Sequence, residues 1–465
     1  MAFKDYREWV AFLEREGELL RIDKEIPPEP DVGAIGRAIC DVEGPGVLLE
    51  NVSGFNIKLA IGLHASWRRA NAALGLPLDA TRREQTEFIM KAYDSHPLNP
   101  VMLESGPCQD NVITGDDVNL FHLPIPRINK HDASFYITKP MSVTKDPETG
   151  WVNVGMYRMM LQDRNRISIL LTPQQHIGHQ FMKYLDRGEH MPMAVALGTE
   201  PVLPMIAGAK IPAGWNEYDF VGALRGEPLE LVTGATVDLP VPAGAEIVLE
   251  GVVRNDELTL EGPFGEFHGG YSGYQWNPVF EVRAVTFRND PVYDHLYLGR
   301  PYSEADYMTT GTKLAGMWRD VKPKFPQLTE LSLLTPYWYV CVAQGKWGHV
   351  GEPRQVMFAL WAHGLANKMV ICVDEDVDPW DPQDVLWAVG GRSQADKDFV
   401  IVPDTVPSLD PSQSLHHTTC KVGIDATKSR PPYHRSEPIG WILPPEKTED
   451  WKKEIMNMWS ERRQG

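Results

Sequence analysis

Lys139–Asp163, KPMSVTKDPETGWVNVGMYRMMLQD, decides how the middle of this chain folds. Two apolar runs flank Asp146-Pro147-Glu148-Thr149-Gly150, where Pro and Gly interrupt any regular element and set a turn. The segment predicts a β-hairpin. Downstream, AEIVLEGVV (245–253) and VFEVRAVTF (279–287) continue the β-rich texture, with Phe280, Val282 and Ala284 alternating against Glu281 and Arg283. Residues from about 115 to 300 are therefore expected to form a mostly antiparallel sheet or barrel.

On the amino-terminal side, Phe3, Tyr6, Val10 and Leu13 recur at helical spacing and predict an amphipathic first helix ending near Gly17. A second helix is expected around Ala65 to Leu74, stopped by Gly75, and the HPLNP stretch at His96 closes an N-terminal α/β unit by about residue 110. On the carboxy-terminal side, Met369–Val373 is a continuous apolar run, followed by an acidic loop and the helical DVLWAV segment. That is how a buried strand and its crossover read in a parallel sheet. At the end, Trp451, Ile455, Met458 and Trp459 share one helical face behind Thr448 as a candidate N-cap. Two indoles on one isolated helix call for a neighbouring domain or a second subunit.

With 465 residues and 43% hydrophobic content the chain fills more than one core. A net charge of −18 without a basic patch argues against nucleic acid and anionic membranes. The charged amino terminus lacks the apolar core of a signal peptide, and no window reaches the roughly 18 apolar residues of a membrane span, so a cytoplasmic protein is expected. Cys40, Cys108, Cys341, Cys372 and Cys420 form no C-x-x-C pair and read as buried free thiols.

Phosphate-loop, dinucleotide, zinc-protease and nucleophile-elbow motifs are all missing. What stands out is EGPFGEFHGGY, in which Glu261 and Glu266 bracket a Gly-Pro-Phe-Gly turn beside His268. Neighbouring carboxyls can split their pKa values into an ionised orienting group and a proton donor, although two exposed turn glutamates are the plain alternative. Arg158 stands in an apolar strand, where a guanidinium needs a carboxylate partner or an anionic ligand. Strand parity sets Asn153 and Arg158 on opposite faces unless Gly155 permits a bulge. His176 and Glu217, with Asn153, form an oxygen- and nitrogen-bearing set that suits manganese or magnesium better than zinc, and the alternative of surface or satisfied core residues stays open. The acidic run Asp374 to Asp381 reads as a solvated loop.

Taken in order, Asn153-x4-Arg158, the Pro-Gln-x-His element at His176, Ile-Pro-x-Gly-x-x-Glu ending at Glu217 and Glu-Gly-Pro-Phe-Gly-Glu at Glu261 and Glu266 resemble the UbiD family of prenylated-flavin (de)carboxylases. The likeness spans about residues 110 to 430, including VDEDVDPWDPQDVLWA and KVGIDAT. It implies an α/β (α+β) protein with an N-terminal α/β domain (1–110), a split β-barrel-like domain binding prenylated FMN (111–305) and a C-terminal α/β domain with an oligomerising tail helix (306–465). It implies that Asn153, His176 and Glu217 hold a manganese or magnesium ion at the flavin phosphate, with potassium nearby. Met156, Gln175 and Lys210 would join the flavin pocket, and Phe267 and Thr309 the substrate pocket. Arg158 would face the substrate carboxylate, Glu261 pair with Arg158, and Glu266 supply the proton that replaces carbon dioxide. The expected activity is reversible decarboxylation of an aromatic, heteroaromatic or α,β-unsaturated acid by a homodimer or homohexamer, with a flavin prenyltransferase supplying the cofactor. A flavin oxidoreductase or a non-catalytic flavin-binding factor on the same scaffold is the alternative.

Overall fold

The computed structural model describes residues 2–428 and 445–464, apart from 96, 210, 301, 335–338, 364–366, 407–409 and 414–417. The chain opens with α1 (Tyr6–Arg15), β1 (Leu19–Ile22), α2 (Asp31–Val42), β2 (Gly46–Leu49), β3 (Lys58–Ile61), α3 (Trp67–Ala73) and α4 (Arg82–Asp94). Helix α1 starts where the Asp5 carboxylate accepts the Arg7 and Glu8 amides, and it buries Tyr6, Trp9, Val10 and Leu13. A reciprocal Thr81–Glu84 capping box starts α4.

The middle stretch carries β4 (Val101–Met102), β5 (Asn111–Thr114), β6 (Tyr136–Ile137), β7 (Met141–Lys145), β8 (Val152–Gly155), β9 (Met159–Asp163) and β10 (Arg166–Ile169). It continues through α5 (His176–Arg187), β11 (Met191–Leu197), α6 (Val202–Ala207), α7 (Glu217–Arg225), β12 (Glu230–Thr233), β13 (Pro240–Pro242), β14 (Ile247–Glu261), β15 (Gln275–Phe287) and β16 (Val292–His295). The expected hairpin forms, with β7 antiparallel to β8 around Asp146–Gly150. It belongs to a nine-stranded sheet ordered β6-β9-β10-β15-β14-β11-β7-β8, with β5 on β15. Every pair in it is antiparallel. Alternation sorts its side chains: Ala194 and Ala196 enter one apolar core, and Met193, Val195 and Leu197 the other.

Of the sheet and barrel alternatives the structure forms no closed barrel: among the described residues the end strands β6 and β8 do not pair with each other, and the long β14–β15 ribbon has register shifts beside Gly251 and between Val253 and Leu258. The first lobe is also not contiguous in sequence. Its four-stranded sheet, β1-β2-β3-β16, takes its last strand from Val292–His295, parallel to β3.

The last part runs α8 (Glu304–Val321), β17 (Leu328–Leu333), β18 (Val340–Gly345), α9 (Glu352–Ala362), β19 (Met369–Asp374), α10 (Pro382–Arg392), β20 (Phe399–Thr405), β21 (Thr419–Asp425) and α11 (Pro445–Gln464). As expected, β19 lies between parallel neighbours, β18 and β21, and feeds cores on both faces. The acidic run is more than a solvated loop, since Asp374 and Asp376 pair with the buried Arg392 guanidinium of α10 at 3.7 and 2.6 Å. Cys420 is exposed on an outward position of β21, while the other four thiols are buried. Thr448 lies within helix α11 rather than capping it. Trp451 and Trp459 are 57% and 51% exposed, with Ile455 and Met458 between them. No described helix is long and apolar enough to cross a membrane.

Candidate active site

Three segments converge at the looped end of the β14–β15 ribbon, where Glu261 pairs with Gln275. Strand β8 stops at Gly155, and Met156–Arg158 leave the sheet before β9 begins. The parity objection therefore falls away: Arg158 is not in a strand. Gly155 is required because the Tyr157 ring folds back over it, leaving a Cβ only 2.3 Å from the phenol oxygen. Strand β14 ends at Glu261, and Gly262 turns the chain at φ +96°, where a Cβ would also meet the Gly273 carbonyl at 2.3 Å. The turn is locked by Ser272, whose amide donates to the Phe264 carbonyl at 2.9 Å and whose hydroxyl accepts the Phe264 amide at 3.1 Å.

The two glutamates are not exposed. Glu261 and Glu266 are 1% and 4% accessible, and both pair with Arg158. Glu261 accepts from five donors: Arg158 Nε (3.1 Å) and Nη2 (2.8 Å), the Tyr136 hydroxyl (3.0 Å), Gln275 Nε2 (3.0 Å) and Asn277 Nδ2 (3.1 Å). Glu266 has a thinner shell, the Arg158 Nη1 and the Phe267 amide. Burial raises its pKa above the usual carboxylate range, Arg158 pulls it back, and the nearby Glu261 charge pushes it up again. For Arg158 itself, burial opposes the charge but the two carboxylates outweigh it and hold its pKa above the ordinary value. Phe264 lies 5.1 Å below the guanidinium.

Tyr136, Gln275, Asn277 and Ser272 were not read from the sequence. The signal for Gln275 and Asn277 lies in the register: Glu261 faces Gln275 and Thr259 faces Asn277, so both amides project on the Glu261 face of the ribbon. Without the register there is nothing to mark them.

The second constellation gathers where α5 and α7 begin against β8. His176 and Glu217 are each the first residue of their helix, and Asn153 lies in β8. The Val154 amide donates to Glu217 Oε2 at 2.9 Å. The Trp151 ring meets His176 edge-on at 5.0 Å, and its Nε1 donates to the Trp215 carbonyl at 2.7 Å, tying the three segments together. Asn153 Nδ2 reaches the Tyr157 hydroxyl at 3.4 Å. Glu217 is buried, and its pKa is pushed up to about 7 by burial, which only backbone amides oppose; no cationic side chain among the described residues offsets it. A buried carboxylate with no cationic partner is chemically suited to a hard divalent ion.

The remaining candidates are dispersed. The Met156 amide donates to the Ala207 carbonyl at 3.0 Å. Gln175 precedes α5 and its Oε1 accepts the Thr172 amide at 3.1 Å. Lys210 lies outside the described residues. Phe267 is half-buried within the 262–274 loop. Thr309 is buried in α8, its hydroxyl donating to the Ala305 carbonyl at 2.7 Å and accepting from Lys313 at 2.6 Å.

Comparison with known proteins finds relatives over nearly the whole chain. Family models of the 3-octaprenyl-4-hydroxybenzoate carboxy-lyase N-terminal, Rift-related and C-terminal domains match residues 10–89, 100–301 and 306–426. Phenolic acid decarboxylase of Bacillus subtilis (strain 168) is 36% identical over 474 residues, covering 98% of this chain and 99% of that protein. The closed form of Sedimentibacter hydroxybenzoicus vanillic acid decarboxylase (ShVdcCD) superposes with a TM-score of 0.88 at 34% identity, over 99% of both chains. An evolved dimeric form of the UbiD-class enzyme HmfF from Pelotomaculum thermopropionicum, in complex with prFMN, gives 0.82 at 31% identity over 94% of this chain and 97% of that one. The chain belongs to the UbiD family. Its relatives and its domains make it a carboxy-lyase.

Proposed function

We propose that this enzyme decarboxylates a phenolic or related aromatic, heteroaromatic or α,β-unsaturated acid without net oxidation, working with prenylated FMN. The carrying observation is the asymmetry of the two glutamates around Arg158: one is pinned by five donors, the other is held loosely and its pKa is raised. Glu261 keeps the guanidinium charged and aimed. A substrate carboxylate entering beside Arg158 competes with Glu266 for Nη1. Two carboxylates cannot share that cation cheaply in a buried site, so Glu266 takes up a proton as the substrate binds. It is then placed to return that proton to the carbon from which carbon dioxide has left.

Prenylated FMN, when bound, supplies the electron sink for the pair released on decarboxylation. Asn153, His176 and Glu217 would hold a manganese or magnesium ion at the flavin phosphate, supported by the uncompensated Glu217 carboxylate. Met156 and Gln175, with Lys210, would line the flavin pocket. A flavin prenyltransferase would supply the cofactor, and the exposed face of α11 would pack on a second copy of the chain.

The test is the mass of the flavin released from protein co-produced with a flavin prenyltransferase and manganese, followed by carbon dioxide release from a panel of aromatic acids. A prenylated FMN mass with turnover is expected. Plain FMN that bleaches with a nicotinamide and releases no carbon dioxide would replace this reading with an oxidoreductase.

A further inference from the structure

Glu266 owes its place to a loop, and one buried side chain outside that loop holds it. Asp132 is 3% exposed. Its Oδ1 accepts the Gly265 amide at 2.6 Å and its Oδ2 the Asn129 amide at 2.8 Å. The amide held by Oδ1 lies one residue before Glu266. Neighbouring contacts run in step along the same segment: the Ala133 amide donates to the Pro263 carbonyl at 2.9 Å, and the Tyr136 hydroxyl to Glu261 at 3.0 Å. Gly265 is pressed so closely on Asn129 that a Cβ there would lie 2.2 Å from Asn129 Nδ2. On its far side the loop is closed by the Glu266 amide donating to the Gly270 carbonyl at 2.9 Å.

A neutral amide or hydroxyl would satisfy a backbone N–H here at less desolvation cost than a carboxylate. Burial indeed raises the Asp132 pKa, against the pull of the Asn129 and Gly265 amides. What the charge adds is a shorter and stiffer bond than a neutral acceptor makes. We infer that Asp132 is a positioning residue for decarboxylation: by fixing the Gly265 amide it sets where the Glu266 carboxyl stands relative to Arg158. The inference rests on Glu266 being the proton donor. The charged and titratable groups facing Glu266 are Arg158 and Glu261, with the Tyr136 hydroxyl behind Glu261 and the His268 ring on the same loop; Asp132 touches none of the reacting atoms.

The experiment compares Asp132→Asn, Asp132→Ser and Glu266→Gln as holoenzymes and as cofactor-free protein. Asp132→Asn keeps the shape and one acceptor but sets an amide against the Asn129 N–H. Expected for it are a melting curve near that of the parent, KM within about threefold and kcat lowered by up to ~10²-fold, the scale of a misplaced catalytic group. The basic limb of the kcat–pH profile should move to lower pH as Glu266 loosens towards solvent. Infrared titration of the Glu266 carboxyl in cofactor-free protein, assigned by Glu266→Gln, should show the same downward move. An inactive Glu266→Gln with an Asp132→Asn that keeps the parental kcat, pH profile and titration overturns the inference alone. A fully active Glu266→Gln overturns the proton-donor reading on which it rests. If both Asp132 variants fail to fold, or lose kcat and melting temperature together with an unmoved pH profile, Asp132 is only structural and the inference is wrong.

Discussion

Two buried clusters in this enzyme have nearly the same composition and opposite behaviour. In the first, Arg158 lies between Glu261 and Glu266. In the second, Lys139 lies between Asp294 (2.9 Å) and Glu304 (3.4 Å), with His64 at 3.2 Å, where the first lobe, the central sheet and α8 meet. Glu304 accepts the Gly62, His64 and Tyr297 amides at 3.1, 3.0 and 3.4 Å. Burial raises its pKa, yet Lys139 and these donors overcome that and bring it to about 2. Its carboxyls stand on a helix and a strand, with no loop to move them. Glu266 stands between Gly265 and Gly269, held by Arg158 and one amide. Charge in the interior is thus not in itself a mark of chemistry. The mark is one member of the cluster that stands on a loop and is held by few donors.

The sharpest way to break this contrast is Glu266→Gln. Removing the proposed proton donor should lower kcat by about 10²- to 10⁴-fold with little change in the melting curve, read by carbon dioxide release and thermal denaturation side by side. A variant that still turns over at the parental rate would reduce the first cluster to structure like the second. The mirror experiment is Lys139→Met, which strands two buried carboxylates. Losing one partner of a buried pair costs about 3–5 kcal/mol, so the melting temperature should fall steeply while the folded fraction keeps its kcat.

Acid–base behaviour separates the members of the second cluster. Asp294 is raised from 3.8 to about 6, burial outweighing Lys139. A carboxyl raised on folding favours the native state while protonated and withdraws that stability as pH climbs through its folded pKa. Melting curves of the parent and Asp294→Asn between pH 4 and pH 7 should therefore shift relative to each other in favour of the variant as pH rises towards about 6. Glu304, lowered on folding, works the other way, contributing above 4.5 and losing its contribution as pH falls towards about 2. The smallest effect belongs to Gln275→Leu. It deletes one of five donors to Glu261, a loss of about 0.5–1.5 kcal/mol, so kcat/KM should fall several-fold with an unmoved pH profile.

These clusters also mark how far the sequence could be read. Arg158, Glu261 and Glu266 were legible because short motifs carry them. Their partners Tyr136, Gln275 and Asn277 were not, since nothing local distinguishes a phenol or amide whose target lies across a ribbon or 125 residues away. Lys139 lies 165 residues before Glu304, and Asp294 stands on a separate element, so this cluster was invisible for the same reason. Periodicity found α1, the β7–β8 hairpin and buried β19, where the local pattern coincides with the tertiary surroundings. It misplaced Arg158 by extending a strand past Gly155, where Tyr157 turns back over the backbone. It likewise took Thr448 as a cap where it lies within a helix.

The pairing of β3 with β16 sets a schedule for synthesis. Lys58 finds its partner in Val292, about 230 residues later in the chain. At roughly 5–20 residues per second on the ribosome, the edge of β3 waits on the order of ten to fifty seconds for the strand that covers it. During that interval the nascent first lobe shows an open strand edge to every other chain nearby, the kind of edge on which strands from different molecules join. The pace of translation thus sets how long that edge stays open.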